Sequence, residues 1–348
     1  MQIIKNNKNK ISDAILLILF CLLITVSFIN QSFVETIYTP FSLRYKSPIS
    51  GQTAYEARLF SIENSKNDTF WPTFWREDRL DIASQFETFS VKALVYSGDA
   101  SLVWPAEYLS GMAPGVTDGM GCAISDTLAY RLWGSTDVVG KTVLINNETR
   151  IVRGVFVSEN MLALVSYQDE DTSQSWSAVE LFGGPLNATR NDALNFASLS
   201  GLGIPDNIMS NSEPVMLVRL LVFLPILIIC TSGVVLLLRY LKKYNKPISR
   251  LLPYMLLIGL VIFLPFLLER LPANIIPTRW SDFSFWSGLI SQMRIGFRDF
   301  LSVSPTIRDI EGSILLIRQV AISFITTILA VIICFRYKRG NYTVQKSV

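Results

Sequence analysis

The sequence predicts a membrane α-helical protein with four transmembrane helices in a one-plus-three arrangement and an α+β extracytoplasmic domain inserted after the first. Three observations carry this prediction. Half of the 348 residues are hydrophobic and 17% are charged, with a mean hydropathy of +0.37, whereas a soluble domain carries about a quarter charged residues. The apolar residues gather in four stretches that approach or reach the roughly 20 residues a helix needs to cross a bilayer. The basic residues gather in the short segments that flank those stretches.

In chain order, residues 1–10 carry Lys5, Lys8 and Lys10 and read as a cytoplasmic N-terminus. Residues 11–30 form the first span. A cleaved signal peptide is the alternative for this segment, but the apolar run exceeds a usual signal core and no small-residue cleavage site follows at Asn30-Gln31. It is read as a retained anchor. Residues 31–213 are mixed in composition and long enough for one ordinary domain. The second span is 214–240, the link 241–250, the third span 251–270, an outer loop 271–313, the fourth span 314–335 and the tail 336–348.

Orientation follows from the basic residues beside the spans. The N-terminus, the link together with Arg239 just before it, and the tail (Arg336, Lys338, Arg339, Lys346) hold twelve of the 31 basic residues, and the nearest acid is Asp13 at the start of the first span. All three segments fall on one face of a four-span protein, and all three are basic. The expected location is therefore the plasma (cytoplasmic) membrane, multi-pass, with both termini cytoplasmic and residues 31–213 and 271–313 outside.

The composition also excludes chemistry. The chain has no histidine, so imidazole general bases, Ser-His-Asp and Cys-His hydrolysis and His-containing zinc sites are ruled out. No aspartate pair lies within the spans, and no Ser–Lys pair stands out. Cys21, Cys122, Cys230 and Cys334 form no C-x-x-C pair. Cys122 is alone in the outer domain, so no disulfide forms within it. A net charge of +3 does not argue for nucleic acid. No catalytic, cofactor-binding or metal residue is expected, and the protein is read as a non-catalytic membrane subunit.

Within the outer domain the clearest segment is 121–157. Cys122–Ile124 reads as a buried strand ending at Ser125, a helix N-cap, with Asp126 at the positive end of the helix dipole. Leu128, Ala129, Leu132 and Trp133 form the inward face, and Gly134 supplies a left-handed stop. After a turn at Gly140, Thr142–Ile145 and Thr149–Val157 pair as a hairpin around Asn146-Asn147, residues that tolerate positive φ. Elsewhere, Glu35–Leu43 reads as a helical stalk and Thr53–Ser61 as a helix. Lys92–Tyr96 and Leu102–Trp104 read as strands around Ser97-Gly98-Asp99. Asp169–Ser175 reads as a loop, and Glu180–Leu199 as a helix broken at Gly183-Gly184-Pro185.

The one-plus-three layout, the run Ala123–Gly134, Val139-Gly140-Lys141-Thr142 and Ile151-Val152-Arg153-Gly154-Val155 together resemble the MacB/FtsX-like permeases of ABC transport systems. The resemblance covers the topology of the chain, with residue-level similarity confined to about 121–157. It implies that Ser125, Leu128, Ala129, Leu132, Gly134, Val139, Gly140, Lys141, Gly154 and Val155 are structural residues of a MacB-type core domain. It further implies a mechanotransmission permease that pairs with a second permease copy, as a homodimer or heterodimer. An ABC ATPase subunit would drive the pair, with ATP bound by that partner and no cofactor on this chain. A phosphate-binding G-x-x-x-x-G-K-[ST] loop is missing, since Ser135 stands where Gly140-Lys141-Thr142 would need its first glycine. In two respects the chain departs from the family. The cytoplasmic link is short, and the last outer loop is long.

Lys242, Lys243, Tyr244, Lys246 and Arg250 are the expected ATPase-coupling residues, by position; as a topology determinant the same cluster would sit beside anionic membrane lipid. Pro225, Pro253 and Pro265 are read as tolerated prolines rather than hinges. Arg219, Glu269, Arg270, Arg318 and Gln319 are read as snorkelling to the interface, with inter-helix pairing as the alternative. Residues 283–301 read as an amphipathic helix on the outer membrane surface or against the large domain. A membrane-anchored sensor or scaffold without ATP-coupled motion is the competing function, favoured by the short link.

Overall fold

The computed structural model describes residues 2–37, 41–66, 68–168, 170–185, 188–210, 212–242 and 305–345, with isolated positions between 258 and 298. Apart from Ile258, Gly259 and Val261, the predicted span 251–270, with Pro253, Pro265, Glu269 and Arg270, lies outside the described residues, as do Lys243, Tyr244, Lys246, Arg250 and most of 271–304. The chain divides into two units, residues 1–35 with 214–289 and 313–348, and residues 36–213 with 290–312.

In the first unit three long helices are described: α1 (Gln2–Ile37), α6 (Ser212–Lys242) and α7 (Ile307–Gln345). Their apolar cores, Ile11–Glu35, Pro214–Val235 and Ile307–Arg336, are long and apolar enough to cross a membrane, by length and composition. α6 runs through Pro225 as one helix. α1 and α7 pack antiparallel. Arg336 reaches Ser12 and Asp13 (2.7 and 3.2 Å) at one end, and Asn30 meets Gln319 (2.9 Å) towards the other.

The second unit is built on a ten-stranded mixed sheet. Its strands are β1 (Phe41–Ser50), β2 (Phe70–Ala83), β3 (Thr88–Ser97), β4 (Tyr108–Gly111), β5 (Gly121–Ser125), β6 (Thr142–Ile145), β7 (Glu148–Phe156), β8 (Leu162–Ser166), β9 (Ser175–Gly183) and β10 (Asn207–Ser210). Their order is β10-β1-β9-β2-β3-β8-β5-β7-β4, with β6 bridging β2 and β7. The pairings β2–β3–β8–β5–β7–β6–β2 therefore close a ring of strands, in which β3–β8 and β5–β7 are parallel. Helices α2 (Gly51–Glu63), α3 (Ala100–Val103), α4 (Asp126–Trp133) and α5 (Arg190–Leu199) complete the unit. Phe41, Phe70, Phe60 and Phe196 pack edge-to-face where α2 and α5 cover β1, β9 and β2.

The 121–157 segment folds as its local chemistry dictates. Ser125 Oγ accepts from the Leu128 N–H (3.2 Å) and also from the Leu162 N–H (3.1 Å), so the helix cap ties α4 to the start of β8. Gly134 ends α4 at φ 68°, and Asn146 and Asn147 turn the hairpin at φ 48° and 69°. Four other expectations need correction. Phe41–Leu43 is strand, not stalk, because α1 ends at Ile37. Leu102-Val103 belongs to α3, capped by Asp99 Oδ1 accepting from the Ser101 N–H, and not to a strand. Glu180 lies inside β9, and the helix begins only at Arg190. Ser175 opens β9 rather than closing a loop.

Candidate functional site

The face of the sheet opposite α2 and α5 carries an unusual set of inward residues. Alternation along β1, β9 and β2 places Ser42, Arg44, Glu180 and Trp75 on one side, and register puts Ser42 beside Glu180 and Trp75 beside Ala178. Glu180 is fully buried. Its Oε1 accepts from Ser42 Oγ (2.6 Å), from the Trp75 indole N–H (3.0 Å) and from Arg308 Nη1. Arg44 Nη2 stands 3.8 Å from the same oxygen and 3.0 Å from Asp309 Oδ1. The Arg44 guanidinium also lies 4.5 Å from the Trp75 ring centre, with that of Arg308 at 5.7 Å.

Two carboxylates and two guanidiniums thus balance in a site almost sealed from water. Unpaired buried charges are strongly disfavoured, and mutual neutralisation with hydrogen bonds is what permits this arrangement. The cluster fixes the first turn of α7. Thr306 caps that turn through Asp309, whose Oδ2 accepts from Thr306 N–H and Oγ1 (3.1 and 2.7 Å). The Ile307 N–H donates to Glu77 Oε2 (2.6 Å), itself paired with Lys92. Residues 306–309 are thereby held to β1, β2 and β9 by side chains far away in sequence.

A second polar set lies among the long helices. Gln319 is fully buried and bonds Asn30, Ser27 and Ser323 (2.9, 2.6 and 3.1 Å). Arg318 Nε donates to Asn30 Oδ1 (2.6 Å), and Arg219 pairs with Glu35 (2.7 Å). Arg219, Arg318 and Gln319 therefore join helices rather than snorkel, because each finds a partner on α1 that satisfies it within the bundle.

Of the coupling residues, only the backbone of Lys242, at the end of α6, is described. The motif residues fall at helix, turn and strand positions of the second unit. Leu128, Ala129, Leu132 and Val155 are buried in the core. Val139 is 41% exposed, and its neighbour Val138 fills the core position instead. The Gly140 N–H donates to the Val152 carbonyl (2.7 Å) at φ 84°, and Lys141 Nζ lies over the Trp133 ring (5.8 Å). A side chain at Gly154 would run into the Met112 carbonyl and Tyr108 ring. Burial pushes the Cys122 thiol up to about 12, so it is a protonated packing residue. Among the described residues no group of three or more histidine, cysteine or carboxylate residues is placed to hold a metal ion.

No family profile and no curated protein matches the chain. Solved structures do. The extracellular domain of the noncanonic ABC-type transporter YknZ from Gram-positive bacteria is 13% identical, with 49% of this chain and 97% of that one covered and a TM-score of 0.39. The periplasmic region of MacB from Actinobacillus actinomycetemcomitans is 11% identical, with 50% and 88% covered and a TM-score of 0.39.

Proposed function

We propose that the chain is the permease subunit of an ABC-type mechanotransmission or export complex. It relays ATP-driven motion of a separate ATPase to its extracytoplasmic domain. The observation that carries this reading is the fixing of α7: its first turn is held to the outer sheet by the Glu180 cluster, and the same helix continues as an apolar segment of membrane-spanning length. A helix fixed in this way transmits a push or rotation at its cytoplasmic end to β1, β2 and β9. The polar contacts of Asn30 and Gln319 join α1 to the same motion.

In this reading the ATPase docks on the basic link 241–250, ATP stays with that partner, and two permease copies work together in the plasma membrane with both termini cytoplasmic. The test is co-purification with the cognate ATPase followed by ATP-turnover measurement. A stable complex with stimulated turnover, lost on charge reversal at Lys242, Lys243 and Lys246 with insertion intact, is the expected result. No complex with any ATPase, or turnover indifferent to the charge reversal, favours the sensor or scaffold.

A further inference from the structure

The sheet of the outer unit has a chemically distinct rim. β1 begins at Phe41, β10 ends at Ser210, β2 begins at Phe70 and β9 ends at Gly183. Register aligns these ends: Phe41 pairs with Ser210 and Leu181, Phe70 with Gly183, and Trp71 with Phe182. This is the end at which the chain arrives from α1 and leaves for α6. Four Cα steps separate Ile37 from Phe41, and two separate Ser210 from Ser212, so the tethers reach at most about 14 Å and about 7 Å. On this rim the neighbours Trp71 and Phe182 are 42% and 56% exposed, although the same strands bury Phe70, Phe74 and Leu181. Both lie on the side of the sheet that carries Trp75 and Glu180, and neither makes a ring contact with another aromatic among the described residues.

Exposing a Trp–Phe pair to water is unfavourable, and an aromatic whose edge carries an N–H is suited to the boundary between headgroups and acyl chains. We propose that Trp71 and Phe182 form an aromatic anchor that seats this rim in the headgroup layer of the outer leaflet, with membrane lipid as the partner. The proposal rests on α1 and α6 spanning a bilayer, and not on any ATPase.

The test uses the full chain in phosphatidylcholine vesicles carrying bromines near the headgroups or near the bilayer centre. Trp71 emission is taken as the difference between wild type and Trp71→Phe. With shallow bromines it falls by about half, and far less with deep ones, as expected for burial of about 5–10 Å. Aqueous iodide leaves it nearly unchanged. A Phe182→Trp, Trp71→Phe variant reports the same depth from the neighbouring strand, which keeps the test valid if one substitution perturbs the fold. Quenching by iodide and not by bromolipid overturns the proposal, because the rim then faces water. Protection from both quenchers also overturns it, because protein then covers the pair; vesicle flotation shows separately that the chain is inserted.

Discussion

Replacing Glu180 by glutamine removes one charge from the cluster that holds the first turn of α7. The glutamine oxygen still accepts from Ser42 and Trp75, so the change is chiefly electrostatic. Arg44 stands 3.8 Å from the lost charge, a pair worth about 4 kcal/mol at an effective dielectric near 20, and Arg308 is closer still. Relief of carboxylate desolvation offsets part of this. Removing one partner of a buried pair costs about 3–5 kcal/mol net. The assay is amide hydrogen exchange of full-length protein in micelles, read on peptides spanning 306–313. If opening of this turn governs exchange, the variant exchanges about 100- to 4,000-fold faster there, at tenfold per 1.4 kcal/mol. Adding Arg308→Met removes the stranded cation and recovers about half or more of the loss. A single variant within about 0.5 kcal/mol of wild type, like an ordinary surface substitution, refutes the reasoning, as does a double variant no more stable than the two losses summed.

Three further outcomes are expected. Gln319→Leu removes bonds to Asn30, Ser27 and Ser323 and destabilises the helix bundle by about 0.6–2 kcal/mol, measured by unfolding in mixed micelles. Gly134→Ala has free space for its Cβ at φ 68° and costs about 1–2 kcal/mol for the left-handed backbone alone; Gly111→Ala, whose Cβ meets the Arg153 carbonyl, costs more and detaches β4, measured by thermal unfolding and by exchange at β7. In a variant lacking Cys21, Cys230 and Cys334, Cys122 resists alkylation at neutral pH. Because its folded pKa (about 12) lies above the unfolded value near 9, the native state holds the proton more tightly. The associated stability is complete below pH 9 and declines as pH rises towards 12, read from urea unfolding of the same variant against its Cys122→Ala form.

The elements legible in the sequence were those specified by short-range chemistry. Ser125, Gly134 and Asn146-Asn147 act on backbone groups a few residues away, so strand, helix and hairpin of 121–157 were readable from residue types. β1 and β9 were not. β1 and β9 carry Arg44 and Glu180 at inward positions, and a buried ion pair looks in sequence like a break in a strand or the start of a helix. Their partners Arg308 and Asp309 come from more than a hundred residues away, beyond any periodicity. The same distance hid the end of the outer unit, since residues 306–309 are anchored in the sheet although they precede the fourth apolar stretch. Other signals were present and outweighed. Asp99 two residues before Ser101 marks a helix cap as readily as a turn. Ser27 with Asn30, and Gln319 with Ser323, are spaced to share helix faces, which favours pairing over snorkelling.

The relay itself is tested most directly by hydrogen exchange on the complex of this chain with its cognate ATPase, with and without ATP. The account predicts that ATP changes exchange at 306–310 and along β1 and β9, and that Glu180→Gln abolishes the change in the strands while ATP is still hydrolysed. An outer sheet whose exchange is identical in both states during active turnover contradicts it.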